Sequence, residues 1–230
     1  MKTAFWARRA HKWIGLIVGV QALLWMIGGV YMTIIPLGVI HGNHLAHAPS
    51  ERLHAGTTRI SQRELMSAYP GATSVKLRQL AGRDVYEVTR NGAPLLVDAS
   101  SGVAISPLKE DVAEILARQA YQGDGELIDV SWITEAPQEV STRPVPMWAA
   151  SFSDWNETTL YFSPQTGELL ARRHNLWRWF DFVWMLHIMD YETRSDVNNT
   201  LLRVATFMGL IFSLSGVWLL LYSFRRRANA

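Results

Sequence analysis

His187 lies in surroundings that suit a histidine ligand. It belongs to residues 175–190 (NLWRWFDFVWMLHIMD), which are apolar on nearly every face and include three of the chain's 10 tryptophans. In a helix Phe180, Val183 and His187 share one face, so the imidazole is predicted to lie against aromatic side chains. Such surroundings favour the neutral imidazole that binds haem or a metal. The alternative is a hydrogen bond from His187 to a neighbouring carbonyl or to Asp190.

Three more histidines follow the first apolar segment. His41, His44 and His47 form the pattern HGNHLAH, which would place them on roughly one helical face, although Gly42 favours an irregular turn. Alone, the pattern is compatible with a zinc or copper site or with a solvated loop, and we predict no metal site. Because a haem takes a second axial ligand, His41 or His44 is the predicted partner of His187.

His11 lies at the other end of the first apolar segment. A continuous helix from His11 to His41 would rise about 45 Å, so His11 is predicted at the opposite membrane face. One haem cannot then be held by His11 and His187 of the same chain. A haem on His11 would need a ligand from a second copy or another subunit. The alternative is an interfacial histidine that contacts lipid phosphates beside its basic neighbours.

Two apolar segments must position these histidines. Trp13 to Ile40 contains 28 residues without a formal charge, and Val204 to Ser223 contains 20. Because roughly 20 helical residues cross a bilayer, both segments are predicted to span it. A cleaved signal peptide is the competing interpretation of the first segment, but its apolar core would have only about 7 to 15 residues.

The charged residues predict the orientation. Seven basic residues lie in the two terminal flanks, which have no acidic residue, while the other 15 share the middle of the chain with all 20 acidic residues. The positive-inside rule therefore predicts cytoplasmic termini and a periplasmic middle, in a bacterial inner membrane. The basic pI reports topology and not nucleic-acid binding. The chain has no cysteine, which excludes disulfides and thiolate sites.

The polar middle is predicted to form two related α+β units, at about 57–106 and 108–173. In the first, the capping box Ser61 to Glu64 starts a helix, and the Asn91-Gly92 turn joins two strands of a hairpin. The second repeats this order, and LLVDASSG at 95–102 aligns without gaps on LYFSPQTG at 160–167, which favours a duplication. The predicted strands are 74–80, 84–90 and 94–98 in the first unit, and near 126–134, 146–154, 158–163 and 168–173 in the second, whose helix is predicted at 110–121.

The fold class predicted from these elements is α+β, with two membrane helices around a periplasmic domain. The predicted segments are a cytoplasmic N-terminus (1–12), the first membrane helix (13–40), the double unit (41–173), an interfacial aromatic helix with a polar loop (174–200), the second membrane helix (201–223) and a cytoplasmic C-terminus (224–230).

The order of these motifs resembles the PepSY-associated transmembrane family. A helix at SQREL, the strand DVYEV and an apolar strand that ends in VDASSG resemble a PepSY domain. Two such units stand between a first helix opening with H-x-x-x-G at His11 and a last helix containing LSGVWLL, preceded by LHIMDY. The resemblance covers residues 8 to 227.

The resemblance implies two kinds of function. Some larger members, which have more membrane helices, are haem-containing inner-membrane reductases for ferric siderophores, whereas isolated PepSY domains bind or inhibit proteases. We therefore expect a haem b electron-transfer or reductase component linked to iron acquisition. The alternatives are a non-catalytic periplasmic module that binds a protease or an envelope partner, and an accessory subunit of a larger membrane complex.

Motifs of common soluble enzymes are absent from the sequence. It contains no G-x-S-x-G, no P-loop, no G-x-G-x-x-G after a strand and no H-E-x-x-H. Whether the chain is an enzyme stays open, and a redox role would require electrons from another component. Membrane lipid is an expected partner, and a homodimer or a second membrane subunit would complete a four-helix haem site.

Overall fold

The computed structural model describes residues 2–48, 53 and 58–227, which form two compact units. We call Met1–Leu37 with Trp179–Ala230 the membrane unit and Gly38–Arg178 the sheet unit. The predicted α+β class is confirmed, since long apolar helices and antiparallel sheets are both present. The predicted start of the first PepSY-like unit, near residue 57, lies outside the described residues.

Three helices contribute to the membrane unit: α1 (Lys2–Ile34), α5 (Asn175–Ile188) from Trp179 onward, and α6 (Thr200–Arg227). Within them, Arg8–Ile34 and Thr200–Leu220 are long and apolar enough to cross a bilayer. Large apolar side chains are exposed along both, including Ile17 (73%) and Phe207 (69%). Apolar surface of this extent fits contact with lipid and not the core of a soluble protein.

The sequence predicted one continuous helix from Trp13 to Ile40, and the structure has two helices over this segment instead. α1 ends at Ile34, and the short helix α2 (Leu37–Ile40) follows a break at Pro36. Proline has no N–H to donate, and its ring disfavours helical geometry at the preceding residue. The predicted continuous rise of about 45 Å from His11 to His41 is therefore wrong.

The first half of the sheet unit follows the predicted order. Ser61 caps α3 (Gln62–Ala68) through the predicted capping box, in which its hydroxyl accepts from the Glu64 N–H and the Glu64 carboxylate accepts from the Ser61 N–H. The antiparallel sheet β1-β2-β3 follows, with Leu65 of α3 packed on one face against Val88 and Val97. The strands are β1 (Ala72–Leu80), β2 (Arg83–Arg90) and β3 (Ala93–Asp98).

The second half repeats the pattern and adds a strand. Helix α4 (Glu110–Ala120) precedes the antiparallel sheet β4-β5-β6-β7, and a single turn of 3₁₀ helix (Gln138–Val140) lies between its first two strands. One core joins both sheets to α4, with Leu96 from the first sheet, Leu116 from α4 and Phe162 from the second. The strands are β4 (Leu127–Ile133), β5 (Met147–Phe152), β6 (Thr159–Phe162) and β7 (Leu169–Arg173).

The two aligned segments form the same turn. Gly102 and Gly167 both have a positive φ, at 72° and 70°. Each donates its N–H to the carbonyl four residues earlier, at Asp98 (2.9 Å) and Ser163 (2.7 Å). Glycine adopts this backbone region without steric cost. The shared geometry supports the duplication that the alignment favoured.

Candidate functional site

The C-terminal end of α5 docks on the middle of α1. Gln21 donates from Nε2 to the Leu186 carbonyl at 3.1 Å, and Trp25 donates from Nε1 to the His187 carbonyl at 2.8 Å. The last carbonyls of a helix have no partner within that helix. Two side chains from the middle of α1 therefore satisfy them and fix the position of His187.

The imidazole of His187 lies beside two aromatic rings, those of Trp184 and Trp25. Its ring lies parallel to that of Trp184, with centroids 6.2 Å apart, and 6.4 Å from the ring of Trp25. Val183 and His187 both face Gly28, where an added Cβ would lie 3.0 Å from Val183 Cγ1 and 3.9 Å from His187 Nδ1. α5 therefore approaches α1 closely at the position where α1 has no side chain.

One nitrogen of His187 has no hydrogen-bond partner. Nδ1 is buried and unsatisfied among the described atoms. Asp190, which the sequence offered as a partner, accepts instead from the Thr193 hydroxyl at 2.5 Å and from the backbone N–H groups of Ser195 and Asp196 at 3.0 Å. These bonds hold the pKa of the Asp190 carboxyl below its usual range, and the bond from the Thr193 hydroxyl has the largest effect.

His11 has a defined tautomer. Its Nδ1 lies 2.6 Å from Oγ of Ser215, and that hydroxyl donates its proton to the Phe212 carbonyl at 2.7 Å. A hydroxyl has one proton, so both bonds form only if His11 Nδ1 is the donor. The lone pair of neutral His11 is then on Nε2. The ring also stacks on Phe212, with centroids 4.5 Å apart and planes 10° apart.

Two glycines make room for this pair of rings. A Cβ at Gly15 would lie 2.9 Å from the Phe212 ring, and a Cβ at Gly216 would lie 3.4 Å from Cε1 of His11. Both glycines belong to the small-residue stripes of α1 and α6, which allow close helix packing. The orientation of His11 therefore depends on the fit between the two helices.

His11 and His187 lie at different levels of the membrane unit. The residues of α1 that contact His187 are Trp25 and Gly28, which are 14 and 17 positions beyond His11. This separation corresponds to about 21 to 26 Å of helix rise, too far for one iron to bind both imidazoles. Any cofactor on His11 is thus separate from one on His187 in the same chain.

The three histidines of the HGNHLAH segment lie in a turn of the sheet unit and not on a helix. α2 ends at Ile40, and the side chains of His41, His44 and His47 are exposed. Backbone bonds hold this turn against the end of α4: His47 N–H donates to the Ala120 carbonyl (3.0 Å) and Gln122 N–H to the Leu45 carbonyl (2.8 Å). Across the described part of the chain, no three His, Asp or Glu side chains are grouped to hold a metal ion.

His174, which the sequence analysis did not single out, is fully buried beside this turn. Its Nε2 lies 3.0 Å from the Ile40 carbonyl, and its Nδ1 lies 3.0 Å from Nδ2 of Asn156. An amide nitrogen only donates, so Nδ1 accepts and Nε2 carries the proton. Burial lowers the pKa of His174, and the bond to Ile40 opposes this shift. Because its partner is 134 positions away, no local pattern could have revealed this residue.

A polar network fixes the first turn of α5 to the sheet unit. Glu139 accepts from Nε of Arg178 at 2.7 Å and from the Tyr161 hydroxyl at 2.7 Å. The Glu139 carbonyl also accepts from Nε of Arg173 at 2.6 Å. Burial, followed by the bond to Glu139, raises the pKa of Tyr161. The network sets where the aromatic helix begins.

Comparison with known proteins identifies the family. A family model described as the PepSY-associated TM region matches residues 8–230. The chain belongs to this family. No curated protein and no solved structure matches the chain. As a member of the PepSY-associated family with two apolar helices, the chain is a membrane-anchored protein.

Among the predicted histidine ligands of this PepSY-associated protein, His11 has the hydrogen bonding most typical of a haem ligand. Histidine ligands characteristically donate their second ring N–H to a hydrogen-bond acceptor, which fixes the tautomer and orients the ring. Ser215 provides such an acceptor for His11. At His187 the buried Nδ1 has none among the described atoms. His41 and His44 contribute exposed imidazoles in the sheet unit.

Proposed function

We propose that this protein is a haem b electron-transfer component of a bacterial inner membrane, with cytoplasmic termini, a periplasmic sheet unit and a role in iron acquisition. His11 would bind the haem through Nε2. A bound haem would supply one-electron transfer. Family membership and the charge of the terminal flanks support this proposal.

The observation that carries the proposal is the chain of bonds from His11 to Ser215 to Phe212. It makes Nδ1 the donor, so in the neutral imidazole the lone pair that would bind iron is on Nε2. A single His11 supplies one axial ligand. A second copy of the chain or another membrane subunit would supply the other, and a homodimer would provide four spanning helices.

The pairing of His187 with His41 or His44 stays a prediction. His187 lies beside the rings of Trp184 and Trp25. The haem content of alanine variants at His187, His41, His44 and His11 distinguishes this pairing from binding at His11. Electrons would come from another component, since the sequence has no fingerprint of a flavin or nicotinamide site.

The decisive experiment is a reduced-minus-oxidised absorption spectrum of the full-length protein, expressed with ample haem and purified in mild detergent. We expect a shifted Soret band and sharp α and β bands. His11→Ala should remove the haem, and Ser215→Ala should weaken its binding about 10- to 100-fold, because the ring loses its orienting partner. Absence of haem from the wild-type protein would sink the proposal.

His47→Ala is the matched control, because His47 has an exposed side chain and bonds to Ala120 through its backbone N–H, which the substitution keeps. It should retain full haem content. His187→Ala, His41→Ala and His44→Ala report the other predicted site. If His187→Ala removes all the haem while His11→Ala retains it, the assignment of His11 is wrong, although haem binding itself stands.

A periplasmic binding module is the second candidate, and an edge of the second sheet favours it. β4 is one of the two edge strands of that sheet and exposes Ile128 (67%) and Trp132 (41%). An exposed apolar edge can pair with an extended peptide of a protease or an envelope protein. A haem-free protein that captures such a partner, and loses it on Ile128→Lys substitution, would support this function instead.

A further inference from the structure

The sheet unit contains an open cleft between its two sheets. Its volume is about 470 Å³, within the range of small-molecule sites. One wall is formed by the end of β1 and the other by the β6–β7 turn and β7. β1 and β7 are edge strands of their sheets, so the cleft lies where neither sheet is continued by a further strand.

The side chains around the cleft carry an excess of positive charge. Lys76, Arg78, Arg143 and Arg172 line it together with two carboxylates, Glu87 and Glu168. The sheet unit as a whole is acidic, with 13 Lys and Arg against 16 Asp and Glu. The excess of cations is therefore a local feature of the cleft.

Arg78 forms the fixed part of the cleft. Its side chain is only 7% exposed, and Nε donates to Oε2 of Glu87 at 2.8 Å. Its Nη2 donates to the Thr166 carbonyl in the turn before β7. The bond to Thr166 ties the first sheet to the second, and the ion pair with Arg78 neutralises Glu87. The charge that remains for a ligand comes from the other residues.

Those other residues are available to a ligand. Lys76 and Arg143 are exposed, and neither has an ion-pair partner among the described residues. Arg172 donates through Nε to the Ala46 carbonyl at 2.7 Å, which anchors the stem of the side chain at the cleft. Among the described residues, the Glu168 carboxylate has only a long contact, 3.5 Å, from the Thr166 hydroxyl.

We propose that this cleft binds a small hydroxycarboxylate with two or more carboxylate groups. Ammonium and guanidinium groups at Lys76, Arg143 and Arg172 would bind the carboxylates through charge-assisted hydrogen bonds. Glu168 would accept a hydrogen bond from the ligand hydroxyl. This site is independent of the haem proposal, because it uses none of the histidines.

Calorimetric titration of the full-length protein in detergent with citrate tests the proposal. We expect saturable binding that weakens as salt is added. The double substitution Lys76→Gln with Arg143→Gln should weaken citrate binding at least about tenfold, since each lost bond joins two charged groups. Tricarballylate, which has the same three carboxylates without the hydroxyl, should bind more weakly than citrate.

The matched control removes the same two charges elsewhere. Arg63→Gln with Arg118→Gln changes exposed residues of α3 and α4 and should leave citrate binding unchanged. Equal weakening by both double variants would show unspecific charge attraction and overturn the site. If inorganic phosphate binds as tightly as citrate, the assignment to a hydroxycarboxylate is overturned. If none of citrate, tricarballylate and phosphate binds, the whole proposal is overturned. Unchanged melting temperatures show that the variants are folded.

Discussion

Two histidines of this chain have the proton on opposite ring nitrogens, and hydrogen-bond partners decide which. His174 uses both nitrogens inside the protein, so it holds structure together. His11 has a hydrogen-bond partner at one nitrogen only among the described residues. The sequence alone does not show which ring nitrogen of each histidine carries the proton, because the partners Ile40 and Ser215 are distant along the chain.

Acid should destabilise the sheet unit through His174. Its folded-state pKa is lowered from 6.5 by burial, so the unfolded chain takes up the proton first as pH falls. The stabilisation is complete above about pH 6.5 and is lost as the pH falls toward the lowered pKa of the folded state. Thermal unfolding followed by tryptophan fluorescence between about pH 8 and 5 measures this loss.

Two variants identify the residue responsible. Asn156→Asp places a carboxylate beside Nδ1, which favours the protonated ring, so the loss of stability in acid should become smaller. His47→Ala removes an exposed imidazole and should leave the acid response as in the wild type. An unchanged response in Asn156→Asp would exclude His174 as the source.

At the scale of helices, Gly28 and Gly29 test the docking of α5. A Cβ at Gly28 would meet Val183 at 3.0 Å, whereas a Cβ at Gly29 would meet nothing within 4 Å. Both Gly→Ala changes gain helix propensity, but only Gly28→Ala overpacks the interface. We expect Gly28→Ala to be less stable than Gly29→Ala by about 1 to 2 kcal/mol, measured by denaturation in detergent. Equal stability would mean that α5 does not pack tightly on α1.

The first turn of α5 gives a second test at this scale. Glu139→Gln leaves Arg178 and Tyr161 without their charged partner and should cost about 1 to 3 kcal/mol of unfolding free energy. Glu114→Gln removes a carboxylate from an exposed pair with Arg118 on α4 and should cost less than about 0.5 kcal/mol. Chemical denaturation compares the two, and equal costs would contradict a structural role for Glu139.

The sequence predicted the elements whose signals are local. The Ser61 capping box and the Asn91-Gly92 hairpin have the predicted positions, because each depends on residues within one turn of the chain. The break before Leu37 departs from the predicted single helix, because Pro36 interrupts the helical geometry of the apolar run. The partners of His174 and His11 depend on packing between distant segments, which no short pattern encodes.

At the scale of the whole molecule, the absence of cysteine allows a clean test of orientation. Trp155 is 84% exposed in the sheet unit, and Ala228 follows the three arginines of the basic C-terminal flank in the sequence. In spheroplasts, a membrane-impermeant maleimide should label Trp155→Cys at once and Ala228→Cys only after permeabilisation. The reverse pattern would place the sheet unit in the cytoplasm and contradict the positive-inside assignment.

The bond between Ile40 and His174 has an evolutionary consequence. Ile40 is the third residue of the sheet unit and His174 is the fifth from its end. Yet the Ile40 carbonyl oxygen and Nε2 of His174 are 3.0 Å apart. A domain whose ends meet in this way can be inserted into a host protein without separating the flanking segments. The sheet unit could therefore be gained, lost or exchanged as a whole during evolution, while the helices before and after it in the chain are kept.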